Sequence, residues 1–207
     1  MKEFIRTYKK DFYLVAIIGF LVGWLILPTI ANVARSLKIT PVIIAASVIG
    51  FSVFAPLLLA FIFFLAGSRP GLRQFGKFCA VGVLNTFLGF AVLNLMMSLT
   101  GITNGIYYVV FTVMSFLVSV TNSYFWNKFW SFQSQTSANA TEFSGFLLVT
   151  FVGLLINSGV ATFMNNVIGP LGGISPIVWA NLSALSAIAF SFLWNFFSYR
   201  LIIFKKK

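Results

Sequence analysis

The chain has no histidine and only three acidic residues, Glu3, Asp11 and Glu142. That shortage excludes most catalytic chemistry. General acid–base work needs titratable groups set close to one another, and all three acids fall near expected helix ends or loops. No long apolar run therefore holds a carboxylate or an imidazole for a proton relay. A metal site lacks ligands as well, and neither a metal nor another cofactor is expected. The single cysteine, Cys79, has no intrachain disulfide partner and reads as a small apolar residue. The lysines, the tyrosines and this thiol have no neighbouring base to activate them. These absences describe a non-enzyme.

What the chain does have is apolar length. Of its 207 residues, 59% are hydrophobic and 8% charged, and the mean hydropathy is +0.99. Water-soluble domains do not have that composition. Six apolar runs stand out, at 12–31, 42–66, 75–99, 106–126, 146–167 and 177–198. Each is long enough to cross a hydrocarbon core of about 30 Å, which takes about 20 helical residues. The expected fold is an all-α integral membrane protein with six transmembrane helices. The longest polar stretch, 131–144, is too short for a separate domain.

The cations set the expected topology. Lys2, Arg6, Lys9 and Lys10 precede the first run. Arg69, Arg73 and Lys77 lie where the second passes into the third, Lys128 follows the fourth, and Arg200, Lys205, Lys206 and Lys207 close the chain. Only Arg35 and Lys38 fall on the other side. The positive-inside rule then puts both termini in the cytoplasm, as an even number of spans requires. The net charge of +11 is spread over helix ends, so its expected partners are anionic lipid headgroups and not nucleic acid. Lys2 and Lys205 are read as topology charges only.

Several local patterns invite a stronger reading than they support. The basic start, the apolar run and the small residues at 31–34 resemble a secretory signal, but the run is longer than a signal core, and Trp24 and Pro28 suit a membrane-interface helix end. The segment Gly71-x-x-x-x-Gly76-Lys77 matches most of a phosphate-binding loop. Phe78 stands where magnesium binding needs Ser or Thr, and no strand precedes it. A short cytoplasmic turn, broken by Pro70 and Gly71, explains it better. Gly19-x-x-x-Gly23 allows close helix approach, within one chain or between chains of a homo-oligomer. Most of the 26 phenylalanines face lipid or fill the bundle, and a few are candidates for lining a groove for an isoprenoid tail. The sequon at Asn139 falls in a loop expected to be cytoplasmic.

The second half of the chain repeats itself with an offset of about 72 residues. Val81-Gly82, followed by Asn85, returns as Val152-Gly153, followed by Asn157. Lys128-x-x-x-Phe132 returns as Arg200-x-x-x-Phe204. Asn122 and Asn195 stand five or six residues before those cations. The expectation is two parallel helical hairpins, at about 75–132 and 146–204, and a ligand site at the repeat interface. Polar side chains within a span need partners. The plain account of Asn85, Asn122, Asn157 and Asn195 is hydrogen bonding between helices, at about 0.6 and at most about 2 kcal/mol each. The plain account of Lys128 and Arg200 is snorkelling to headgroups. Their recurrence favours a further reading: cations and amide N–H groups converging on a lipid phosphate, with Lys77 as an additional cation.

These residues carry a resemblance. Phe78-x-x-Val81-Gly82-x-x-Asn85-Thr86, Ser115-Phe116 and the stretch Trp126-Asn127-Lys128-Phe129-Trp130-Ser131-Phe132 resemble the GtrA-like family of small bacterial membrane proteins. The end, Phe192-Leu193-Trp194-Asn195-Phe196-Phe197-Ser198-Tyr199-Arg200, is similar to that family's closing motif. The resemblance covers about 75–204. Asn127-Lys128-Phe129-Trp130 carries one cation where the family often has two. The resemblance implies a four-helix domain over 69–207, preceded by an additional hairpin at 1–68. It also implies a multi-pass protein of the bacterial plasma (inner) membrane that moves polyprenyl-phosphate-linked sugars for polysaccharide or teichoic-acid glycosylation, beside a membrane glycosyltransferase. The alternative is a non-transporting subunit that positions that enzyme. A small-molecule or ion transporter is weaker, because no ionisable residue marks a path through the spans.

Overall fold

The computed structural model describes residues 6–33 and 39–205. Lys2, Glu3, Arg35, Lys38, Lys206 and Lys207 lie outside the described residues. Among those described, all regular structure is helical. In chain order, the helices are α1 (Lys9–Leu25), α2 (Leu27–Val33), α3 (Pro41–Ala66), α4 (Pro70–Thr100), α5 (Gly105–Trp126), α6 (Ala140–Thr162) and α7 (Pro176–Ser198). Three wider turns of π-helix follow α5, α6 and α7: π1 (Asn127–Ser131), π2 (Phe163–Ile168) and π3 (Tyr199–Ile203). Six stretches are long and apolar enough to cross a membrane, namely Lys9–Ala31, Pro41–Ala66, Pro70–Thr100, Gly105–Ser131, Ala140–Ile168 and Leu182–Ile203. They coincide with the six apolar runs.

The chain divides into two compact units, 1–131 and 132–207. In the first, Val15, Ile18 and Val22 of α1 meet Leu59 and Phe63 of α3, Val81 and Leu84 of α4, and Trp130 of π1. Spacings of three and four residues put the α1 positions on one face. The glycines explain how closely α1 and α3 approach. A Cβ on Gly19 would run into the carbonyl of Phe51, and one on Gly23 would sit 2.5 Å from the Cα of Val48. The small-residue surface of the first span is thus taken up inside the chain.

The α3–α4 connection is tighter than the sequence pattern suggests. Gly67 adopts φ +53° beyond α3, where a side chain would be strained. Helix α4 then begins at Pro70, because proline is tolerated in a first helical turn that has no partner for its missing N–H. Residues 71–78 therefore form helix and not the phosphate-binding loop that the glycine spacing imitates. A Cβ on Gly76 would lie 2.8 Å from Ile62 Cγ2, which accounts for glycine at this crossing.

The second unit is organised around aromatic rings. Phe132, Phe146, Phe196, Tyr199 and Phe204 are all buried. Phe146 stacks on Tyr199 at 4.2 Å between centroids, and Phe132 stacks on Phe204 at 5.3 Å. Hydrogen bonds tie α6 to α7 and π3: Trp194 Nε1 donates to the Val149 carbonyl (3.1 Å), and the Thr150 and Tyr199 hydroxyls meet at 2.6 Å.

Candidate functional site

The two cations singled out by the repeat occupy the same kind of local structure. Lys128 is the second residue of π1 and Arg200 the second residue of π3. Each turn ends a span, and each is followed directly by a buried phenylalanine, Phe132 or Phe204. Such turns are rare and recur at functional sites.

In the first unit the polar groups are enclosed. Lys128 is 0% exposed, with its Nζ 5.9 Å from the ring centroids of Tyr124 and Phe129. Its neighbour Asn127, also buried, donates from Nδ2 to Ser123 Oγ (3.1 Å). Asn127 Oδ1 and Ser131 Oγ are buried without a hydrogen-bond partner. Lys77 is 6% exposed and its Nζ lies 2.6 Å from Asp11 Oδ1. The same carboxylate oxygen accepts from Trp130 Nε1 at 2.8 Å. One acid on α1 thus joins α4 and π1. Such a pair adds little net stability, because desolvating two charges offsets their attraction, yet removing one partner strands the other at a cost of about 3–5 kcal/mol. Asn85 and Asn122 also find each other: Asn122 Nδ2 donates to Asn85 Oδ1 at 2.7 Å across α4 and α5.

In the second unit they are more open. Arg200 is exposed. Asn195 on α7 lies over Gly153 on α6, where an added Cβ would come within 2.5 Å of its Oδ1. That oxygen is buried and has no hydrogen-bond partner. Asn157 is half-buried, one helical turn beyond Gly153. The structure therefore unites Asn85 with Asn122, Gly153 with Asn195, and Lys77 with Asp11, while Lys128 and Arg200 belong to different units.

Some contributors escaped the sequence reading. Asp11 reads in the sequence as a helix-end acid, yet a lone carboxylate at the start of an apolar run calls for a cation. Trp130, within the Trp126–Phe132 motif, supplies the indole that joins this carboxylate. Asn94, 7% exposed, is another buried amide within the spans; it donates to the Phe90 carbonyl (2.8 Å) and to Thr29 Oγ1 (3.3 Å). At the offset of the repeat its counterparts are Asn165 and Asn166.

Six apolar helices, with polar groups gathered at span ends and helix contacts, define a multi-pass membrane protein. Residues 77–204 match the family model described as the GtrA/DPMS transmembrane domain, and the chain belongs to that family. The match begins at Lys77, so α1, α2 and α3 precede it. The chain is also similar to "Uncharacterized membrane protein YngA" of Bacillus subtilis (strain 168), at 29% identity over 114 residues, covering 51% of this chain and 74% of that protein. No solved structure matches it. Family and relative place the protein in the bacterial inner membrane. Membership links it to the handling of polyprenyl-phosphate sugars through a domain that is generally non-catalytic.

Proposed function

We propose that this protein facilitates the transbilayer movement of a polyprenyl-phosphate-linked monosaccharide and catalyses no covalent step. One observation carries the reading: two spans end alike, with an in-span amide, then a π turn bearing a cation, then a buried phenylalanine. A lipid phosphate needs cations and N–H donors, and a sugar needs partners for its hydroxyls. Each unpaired hydroxyl costs about 4–8 kcal/mol on transfer from water to hydrocarbon, so unassisted flipping is negligible. Arg200, Asn195 and Asn157 in one unit and Lys128, Lys77, Asn85 and Asn122 in the other are the groups assigned to this task. Transport is downhill, drawn by consumption of the sugar lipid on the far side. A membrane glycosyltransferase is the expected partner, and both termini are cytoplasmic.

Purified protein in liposomes tests the reading. Protein-dependent movement of labelled polyprenyl-phosphate sugar is the expected result. Its absence, with retained binding to the glycosyltransferase, would establish the positioning-subunit alternative instead. For topology, a reporter active only outside the cytoplasm stays silent after Lys207 and becomes active in the 100–105 loop; an active C-terminal fusion overturns the orientation.

A further inference from the structure

The second unit contains two cavities that meet at one side chain. The first, of about 730 Å³, is rimmed by Ser134, Thr136, Asn139, Thr141, Glu142 and Lys205. The second, of about 410 Å³, is an apolar groove between α6 and α7, lined among others by Ile156, Leu193, Trp194, Phe197 and Leu201. Ile202 of π3 borders both. Arg200 stands two residues earlier in the same turn. Lys205, read from the sequence as a topology charge alone, belongs to the polar rim.

We infer that these cavities are two halves of one binding site for a single glycolipid. An uncharged hexosyl head occupies the polar cavity, the first part of its chain lies in the groove, and its phosphate lies between them, where Ile202 borders both. The inference rests on the lipid-linked-sugar reading above and names where that ligand sits.

The rim decides what the polar cavity takes. Among the described residues it holds one carboxylate, Glu142, and one ammonium, Lys205. It offers alternating donors and acceptors, which suit a polyol. Its floor is apolar, made by Ile202 and Ile203, and sugar rings present C–H faces as well as hydroxyls. The volume lies within the range of about 300–1,000 Å³ usual for small-ligand sites. The rim is also held in place beforehand. Asn139 Oδ1 accepts from the Glu142 N–H (2.9 Å), Thr136 Oγ1 donates to Glu142 Oε2 (3.0 Å), and the Ser134 and Thr136 hydroxyls are 3.0 Å apart. Ordering these side chains on binding therefore costs little.

The groove is suited to the chain. The indole N–H of Trp194 is already used on the Val149 carbonyl, which leaves its ring as an apolar wall. A water-soluble sugar phosphate would leave that wall empty. A diacyl phospholipid would fill the groove without using the hydroxyl rim. A lipid with a hexosyl phosphate head uses both.

The test uses the full chain in phosphatidylcholine nanodiscs. The probes are undecaprenyl phosphate and its glucosyl, galactosyl and N-acetylglucosaminyl derivatives. Wild type is expected to prefer at least one sugar-bearing lipid over the bare phosphate by about tenfold. Glu142→Gln and Thr136→Val are each expected to cut that preference to within about threefold, with the size-exclusion profile of the wild type. Ile202→Trp, which blocks the junction, is expected to weaken all four lipids. No sugar preference in the wild type, or the same preference in both rim variants, overturns the site. Failure here with intact liposome transport sinks the site and spares the translocation reading; a rim-dependent preference without transport does the reverse.

Discussion

Two spans end in a π turn with a cation at its second position, and the two turns differ in almost everything else. In the first unit Lys128 is buried, Asn122 is bound to Asn85, and Lys77 is held by Asp11 and roofed by Trp130. In the second, Arg200 is exposed, the Asn195 carbonyl oxygen has no donor, and two open cavities adjoin the turn. The difference separates two settings that the sequence pattern makes look identical. One has amides and Lys77 bonded across helices and an enclosed Lys128. The other has an exposed Arg200 and an Asn195 oxygen without a partner. A repeat thus conserves a local shape more faithfully than its surroundings.

The strongest way to break this comparison is at Asp11. Asp11→Ala strands Lys77 in a buried site and is expected to destabilise the protein by about 3–5 kcal/mol, read as the loss of thermal stability in detergent. Asp11→Asn combined with Lys77→Met should recover most of that loss, because no unpaired charge remains. A double variant as unstable as Asp11→Ala would show that the ion pair is not what joins these helices.

Next come the two equivalent cations. Lys128→Ala empties a fully buried volume and is expected to cost about 2–5 kcal/mol of stability, with Lys128→Met much milder. Arg200→Ala should change stability by less than about 0.5 kcal/mol, as exposed substitutions usually do. Equal melting losses for the two would erase the distinction between the units. For ligand handling the order reverses. Arg200→Ala is expected to weaken polyprenyl-phosphate binding by about 1.5–3 kcal/mol, tenfold to hundredfold. Arg200→Lys should lie between, since lysine lacks the planar fork, and Lys10→Ala should match the wild type. Binding unchanged in Arg200→Ala would leave snorkelling as that residue's whole task.

The smallest effects sharpen the comparison most. Asn122→Ala and Asn85→Ala are each expected to cost about 0.6–2 kcal/mol, with the double variant no worse than either single one, because they share one bond. Asn195→Ala removes no direct bond and should leave stability within about 0.5 kcal/mol of the wild type while lowering sugar-lipid binding. Additive losses for Asn85 and Asn122 would show that each has a second partner.

The six spans were legible because twenty-residue apolar runs leave few alternatives once a bilayer is the solvent. The polar residues were legible one at a time, since an amide such as Asn85 stands out among leucines and phenylalanines. Their partners were not. Asp11 and Lys77 are far apart in sequence, and nothing in either neighbourhood points to the other. Gly19 and Gly23 announced a close contact without revealing that the α3 backbone fills it. The π turns were invisible, because one extra residue per turn leaves no trace in composition. The polar cavity was missed because residues 131–144 read as a connection, and it takes the π3 residues, distant in sequence, to close its floor.

The glycine seam between α1 and α3 bears on how the molecule is made. Every atom in that seam is contributed before residue 67, so the hairpin can zip shut while the rest is still being synthesised, N-terminal elements first. Asp11 is then already in position, carried at the end of a finished pair of helices, when Lys77 leaves the ribosome. The carboxylate then meets the incoming helix as a fixed partner for Lys77, the first residue of the segment that matches the family model.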